Sequence, residues 1–464
     1  MVVGLEKVSA DSAPARDPPS LPASPALGSP ASHGAYIDPS TPQAGAGPSA
    51  GAAGTGSPMD ASSLDGKALL QACDTDSWNE AKSMLASATA VTDIDAVDAD
   101  GRTSIFLAAR NGDPDMVERL LAFGADASVS SKLSGTPLVA ACLSGHEAVA
   151  VALLASARAG SLDAQEEKGT TALYGAALLG SMRLVGLLLD GGADPSLAGW
   201  RDGTPLRAAA QGGHADVVAA LLATGRHGDI DAKTSGGRTS LHFAAAAGHL
   251  GAARALLGAG ANPCAHSSLH GSPLAAASSA GHAEVVSAML ATGRCLDLSG
   301  ADAHGRGAMY RAAEGGHTDV VAMLTEAGAS PAAQSRREGP PLVATARGGH
   351  FGTVRALLAT GLAGDVDAAC GDGRTALFWA SRLDDVAAVR MLLDAGASRP
   401  AHGLNGETPA SIATWDMTRA MREWQEEQDG RAAAPDGAGA EASAPEPVAP
   451  ARRDPPHGCA CACA

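Results

Sequence analysis

The plainest pattern along the chain is an apolar doublet that returns one helical turn later. Val217, Val218, Leu221 and Leu222 occupy positions i, i+1, i+4 and i+5, which gathers them on one face of an α-helix. Just upstream, Gly203-Thr204-Pro205-Leu206 opens a segment that runs through Ala208-Ala209-Ala210 and stops at Gly213-His214. Threonine caps the first free amides of a helix, proline fits its first turn and glycine ends it. The pattern predicts a pair of short helices, the first lined with small residues that let it approach its neighbours.

The pair recurs. Registered on Thr204, the copies have anchors at Lys67, Thr103, Thr136, Thr171, Thr204, Thr239, Ser272, Gly307, Pro340, Thr375 and Thr408. After the first copy the spacing alternates between 33 and 35 residues, so the true period is 68, a two-repeat unit. One type of copy ends in a short turn such as Gly124-Ala125-Asp126 or Gly192-Ala193-Asp194. The other carries two more residues and ends in forms such as Asp229-Ile230-Asp231-Ala232 or Asp365-Val366-Asp367-Ala368. Duplication of a two-repeat block accounts for the alternation.

The Thr-Pro-Leu start and the Gly-His turn, carried through eleven copies, resemble the ankyrin repeat. The resemblance covers residues 64–428 and implies an all-α solenoid of about eleven helix-turn-helix repeats, elongated and curved, between disordered tails. The first copy, Lys67-Ala68-Leu69-Leu70, lacks the Thr-Pro pair. The last ends in a polar helix, Arg419 through Gln428. Both have the look of capping repeats, which shield the ends of a stack from water. Gly307 and Pro340 replace the capping threonine, and Leu383-Asp384 replaces Gly-His, so the weakest helix starts fall in the eighth and ninth copies.

Residues 1–63 are rich in Pro, Ala, Ser and Gly and read as a disordered tail, and residues 429–464 as a second one with a Cys-rich end. Ser24-Pro25, Ser29-Pro30, Thr41-Pro42 and Ser57-Pro58 in the first tail fit proline-directed phosphorylation, though such pairs arise freely in this composition. No apolar run reaches the ~18 residues of a membrane span, and Met1 through Lys7 lacks the layout of a secretory signal. A formal net charge of −17 sets the chain against a phosphate backbone, so no nucleic-acid partner is expected.

Candidate chemistry is sparse. Of 14 histidines, His146, His214, His249, His282, His317 and His350 belong to the Gly-His turn and repeat because the fold repeats; a structural role is expected, not a metal site. His242 alone occupies the Thr-x-x-His place of the signature. Cys73 and Cys142 stand where sister copies have Ala or Ser, and read as small packing residues. The eight cysteines form no evident disulfide framework, which fits a reducing compartment, the cytoplasm or the nucleus. The Asp-x-Asp triplets lack the glycine and distal glutamate of a calcium loop and read as turn formers. No nucleophile, phosphate-loop or metalloprotease motif is present, so neither catalysis nor a cofactor is expected. The last four residues match Cys-a-a-X, making Cys461 a lipidation candidate; palmitoylation, soft-metal binding and a low-complexity end without function are the alternatives, the last preferred.

The resemblance implies a non-catalytic scaffold or adaptor that acts as a single chain and binds partner proteins through finger tips and the exposed ends of the first helices. The finger positions carry Arg102, Lys132, Lys168, Trp200, Arg201, Arg238, His270, Arg306, Arg336, Arg337 and Arg374. The helix ends carry Arg110, Asn111, Leu143, Leu178, Gln211, Glu314, Arg347 and Arg382, and the Thr-x-x-His place adds Tyr174, Arg207 and Tyr310. Arginine directly precedes the anchor at 102, 238, 306 and 374, a basic line suited to an acidic or extended partner segment. Two readings of these four stand: recognition of a partner, and bracing of the next finger. The alternative to a scaffold is an accessory subunit of an enzyme or membrane-associated complex, tethered through a lipidated Cys461.

Overall fold

The computed structural model describes residues 63–433, apart from 132, 157, 200–202, 296–297, 299, 332–334, 336 and 400–405. Twenty-two helices lie among the described residues, arranged as eleven successive pairs. The expected tails, except at their inner edges, and Cys461 lie outside the described residues.

In each pair the helices follow the sequence signals. Pro205–Gly212 starts where the Thr204 hydroxyl accepts the Arg207 amide and ends at Gly213, whose φ of +78° is open chiefly to glycine. The same cap is made by Thr103, Thr136, Thr171, Ser272 and Thr375. The second helix, Ala215–Ala223, buries Val217, Val218 and Leu221, the doublet face read from sequence. Each first helix packs on the first helices of the neighbouring pairs, and from the second pair onward each second helix packs likewise. The seam between first helices is lined by fully buried alanines such as Ala108, Ala109, Ala208 and Ala209.

The Gly-His turn proves to be a strap between repeats. The ring Nε2 of His214 lies 3.1 Å from the Leu178 carbonyl oxygen, 36 residues earlier. His146, His249, His282 and His317 reach the carbonyls of Arg110, Gln211, Ala246 and Ser279 in the same way. Each ring lies over the glycine that ends the previous first helix: a Cβ on Gly180 would sit 2.3 Å from the His214 ring. Gly180→Ala should therefore unfold at distinctly lower urea concentration than the wild type, by about 1 kcal/mol or more from the positive φ alone; an unchanged midpoint would show that the strap yields freely.

The 68-residue unit is visible as two kinds of finger. Before Thr136, Thr204, Ser272 and Pro340 the finger closes with an isolated antiparallel bridge, Ser131 to Gly135, Gly199 to Gly203, Ser267 to Gly271 and Ser335 to Gly339. In the alternate fingers Asp98, Glu166, Thr234, Asp302 and Cys370 donate their amides to the carbonyls of Arg102, Thr170, Arg238, Arg306 and Arg374. The last aspartates of the Asp-x-Asp triplets, Asp95, Asp231 and Asp367, and Asp163 of the corresponding Ser-Leu-Asp, join the copies: each accepts an amide from the turn 31 residues ahead.

As the sequence reading expects at Gly307 and Pro340, the helices Ala308–Glu314 and Pro341–Arg347 begin without a side-chain cap; both have seven residues, as Ala376–Arg382 does. Two features depart from the sequence reading. A short parallel pair, Ser63–Asp65 with Ala90–Thr92, brackets the first helix pair. The other is a correction. Cys264 and Cys295 form a disulfide, with Cα atoms 5.6 Å apart, where free thiols were expected. Their separation of 31 residues is the one at which the Asp-x-Asp straps meet, so stacking brings them together although the sequence does not. Alkylation of the unfolded, unreduced protein should leave these two cysteines unmodified and label Cys73, Cys142 and Cys370; label on Cys264 or Cys295 would contradict the bridge. Cys73 and Cys142 are buried, and burial pushes both thiols up to about 12, which makes them inert packing residues.

Candidate functional site

The arginines that precede the anchors are drawn into the protein. Arg102 Nε lies 2.6 Å from Asp98 and its Nη2 3.0 Å from Asp74, on the preceding helix pair. Arg306 bonds Asp302 at 3.1 Å and reaches Glu338 of the next finger at 3.7 Å. Arg374 lies 3.4 Å from Glu407 and stacks over Phe378 and Trp379. Three of the four thus tie neighbouring repeats together. Arg238 has no carboxylate partner among the described residues; its guanidinium lies 4.5 Å from the centre of the Phe243 ring.

The densest network surrounds Asp302, whose side chain is fully buried. It accepts the amides of His304 and Arg306 and the guanidinium groups of Arg306 and Arg311. Burial alone would raise its pKa, but these bonds and charges hold it below the usual carboxylate range. One repeat on, Glu338 accepts the Tyr310 hydroxyl at 2.6 Å and Arg347 at 3.1 Å, and Arg347 also reaches Glu314. Burial and the bond to Glu338 together push the Tyr310 hydroxyl well up.

Tyr174, Arg207 and Tyr310, expected on the exposed surface, are buried. Their place, the third residue of the first helix, points at the adjacent repeat and not at solvent. Arg207 donates to the Tyr174 hydroxyl and to Gln211 and lies over the Tyr174 and Phe243 rings. His242, at the same place one copy later, accepts the Thr239 amide on Nδ1, and its Nε2 lies 3.1 Å from the Gly271 oxygen. Burial lowers its pKa to about 4, so near neutral pH it is an uncharged clip between the two repeats.

The helix ends are different. Arg110, Asn111, Leu143, Gln211 and Arg382 are exposed, Leu178, Glu314 and Arg347 are half-buried, and the finger residues Lys168, His270 and Arg337 are exposed. Leu143 and Leu179, on adjacent first helices, present large apolar side chains at 38% and 45% exposure. Lys132, Trp200, Arg201 and Arg336 lie outside the described residues. Sequence reasoning missed Phe243, Asp302, Arg311 and Glu338; only Glu338 stands one 68-residue unit from a residue it had named, His270, and the other three carried no such signal. Among the described residues no three His, Cys, Asp or Glu side chains cluster as metal ligands, and no helix is long and apolar enough to cross a membrane.

Comparison with known proteins places these repeats. The family model described as "Ankyrin repeats (3 copies)" matches residues 105–199, 176–267, 265–335 and 330–401. The tyrosine-protein kinase HTK16 of Hydra vulgaris is 31% identical over 121 residues, 26% of this chain and 16% of that protein. The B-cell lymphoma 3 protein homolog of Mus musculus is 32% identical over 164 residues, 35% of this chain and 36% of that protein. The chain thus spans only a minor part of the length of these relatives. Among solved structures, the human ASB11 ankyrin repeat domain aligns at 25% identity with a TM-score of 0.42, covering 48% of this chain and 97% of that one. The ankyrin repeat domain of Bcl-3 aligns with the same identity and score.

Proposed function

The chain belongs to the ankyrin-repeat family, and from that premise we propose that residues 64–428 are a non-catalytic scaffold or adaptor that docks a partner protein on the ends of the first helices and the adjoining fingers. The observation that carries this is variation within the one chain. From Thr103 to Thr375 the apolar position two residues past the anchor barely changes: Ile105, Leu138, Leu173, Leu206, Leu241, Leu274, Met309, Leu342 and Leu377, all buried. The helix-end position varies along the stack: Arg110, Leu143, Leu178, Gln211, Ala246, Ser279, Glu314, Arg347 and Arg382. A framework that repeats beneath a ridge that does not is suited to presenting a specific surface along a stack. The residues proposed to meet the partner are those the structure leaves accessible, Arg110, Asn111, Leu143, Gln211 and Arg382 on the ridge and Lys168, His270 and Arg337 on the fingers.

The test compares two faces. Leu143→Glu with Leu179→Glu places charge on the ridge; Met182→Glu with Leu187→Glu does the same on a second helix, where both residues are 40% exposed. In affinity capture followed by quantitative mass spectrometry, the ridge pair should reduce partner recovery about tenfold, the effect of losing one apolar anchor, while the second-helix pair leaves it unchanged. Loss through the second-helix pair alone would overturn the assignment.

A further inference from the structure

The two-repeat period allows one part of the stack to be laid over another. Thr234, Arg238, His242 and His270 stand one 68-residue unit before Asp302, Arg306, Tyr310 and Glu338. The backbone role is kept: Thr234 Oγ1 accepts the Arg238 amide at 3.3 Å, as Asp302 Oδ1 accepts that of Arg306 at 3.0 Å. The charges are not. Where Arg306 has Asp302 on its own finger and Glu338 on the next, Arg238 has a threonine and a histidine.

A second guanidinium deepens the imbalance. Arg207 is 6% exposed, and its polar partners are neutral, the Tyr174 hydroxyl and Gln211. Its Nε and that of Arg238 are buried without an acceptor. Both guanidinium groups lie over Phe243, at 5.0 and 4.5 Å from the ring centre, and neither forms an ion pair among the described residues. The field of Arg238 reaches His270, whose pKa is lowered by burial and then by Arg238 and Arg311. Buried cations without counter-ions are costly, and proteins that retain them ordinarily pair them with an anion. Arg238 is half-buried and His270 exposed, so an incoming anion has access where the sister repeat already holds Glu338.

We propose that Arg238 and His270, with Arg207 and Phe243 behind them, form an anion site that takes a carboxylate side chain from an acidic segment of a partner protein, in the place that Glu338 fills one unit later. This rests on the docking reading above and gives that surface its chemistry. A protein segment fits better than a free ion because the site opens on the finger tips beside exposed His270 and Leu269, the latter 65% exposed, where a chain can lie across several repeats.

The probe is a fluorescein-labelled tetraglutamate peptide, titrated by fluorescence anisotropy against the full chain at low salt. Arg238→Gln should weaken binding about tenfold, the loss of one hydrogen bond to a charged group. His270→Glu supplies the carboxylate from within and should abolish binding while leaving the helical circular dichroism unchanged, so that loss is not mistaken for unfolding. Arg254→Gln, an exposed cation on a second helix, should bind as the wild type does. Equal affinity in wild type, Arg238→Gln and His270→Glu would overturn the site, as would equal loss through Arg254→Gln. Displacement of the probe by millimolar inorganic phosphate with no peptide affinity above it would overturn the assignment to a protein segment. A wild-type chain that fails to bind the peptide overturns the site alone; the ridge variants, scored on captured partners, judge the docking reading separately.

Discussion

Replacing Asp302 by alanine should cost the protein about 3–5 kcal/mol, the usual penalty for breaking a buried charge pair by removing one partner. Four donors converge on this carboxylate: the amides of His304 and Arg306, Nε of Arg306 at 3.1 Å and Nη2 of Arg311 at 2.7 Å. Alanine strands both guanidinium groups and loosens the finger that leads into the helix Ala308–Glu314, which has no side-chain cap of its own. The midpoint of urea unfolding should fall, and hydrogen exchange should quicken first in residues 300–347. Asp302→Asn keeps one turn acceptor and should cost less. An unchanged midpoint in the alanine variant would show that Glu314 and Glu338 suffice to hold the two arginines.

The same carboxylates set the acid limit of the fold. Burial acts to raise Asp98, Asp302 and Glu338, but hydrogen bonds and the charges of Arg102, Arg306, Arg311 and Arg347 hold all three below the usual range. A depressed carboxylate contributes stability that is complete above its unfolded pKa, near 4, and is lost as pH falls through the lower folded value. Wild-type stability should therefore decline below about pH 4. The decline should be shallower in Asp302→Asn, which has one fewer depressed group to protonate.

This network stands where the sequence is weakest as a helix former. Gly307 and Pro340 give no side-chain acceptor to the helices they precede, and a lost cap costs about 1 kcal/mol each. The ion pairs of Arg306 with Glu338 and of Arg347 with Glu314 cross these two repeats, while Arg311 ties its helix to Asp302 on the finger before it; together they hold by tertiary contact what the local signal leaves loose. Weak caps alone would make the stack open first here; the network argues the other way, and the exchange measurement decides between them.

Local signals were legible because each acts within a few residues. Thr204, Pro205 and Gly213 fix the ends of one helix, and the 33/35 alternation exposes the two finger types before any coordinates are known. The rest depends on partners one repeat away. Arg102 reads as a free cation until Asp74, 28 residues earlier, is seen beside it. Cys264 and Cys295 read as scattered thiols until stacking brings them together. Tyr310 reads as exposed because its position in the repeat signature is polar, yet Glu338 of the next finger closes over its hydroxyl. In a stack, part of what decides whether a charge is a brace or a recognition element belongs to the neighbouring copy, and a period of 68 residues, applied to Arg238 and His270, is what reveals the exception.

The largest effect outside the charge network is expected at the end of the stack. The last helix, Trp415–Ala433, covers the helix Val386–Asp394 with Met417, fully buried, and Met421, at 3% exposure. Polar clasps surround that seam: Trp424 Nε1 donates to Asp394 at 2.7 Å, and Arg390 lies 3.5 Å from Glu423. Met417→Asp would press a carboxylate into apolar surroundings with no cation provided for it, which costs several kcal/mol unless the group protonates or the helix lifts away. Because each repeat contacts only its neighbours, the damage should stay local. Hydrogen exchange should become fast from residue 376 to the end of the last helix, while helices such as Ala172–Leu179 and Pro205–Gly212 keep their protection. Lowering the pH to about 4 should restore part of the lost protection as the new carboxyl takes up a proton. Uniform loss along the whole chain would mean that the stack unfolds as one cooperative unit, and the cap would then be a determinant of global stability.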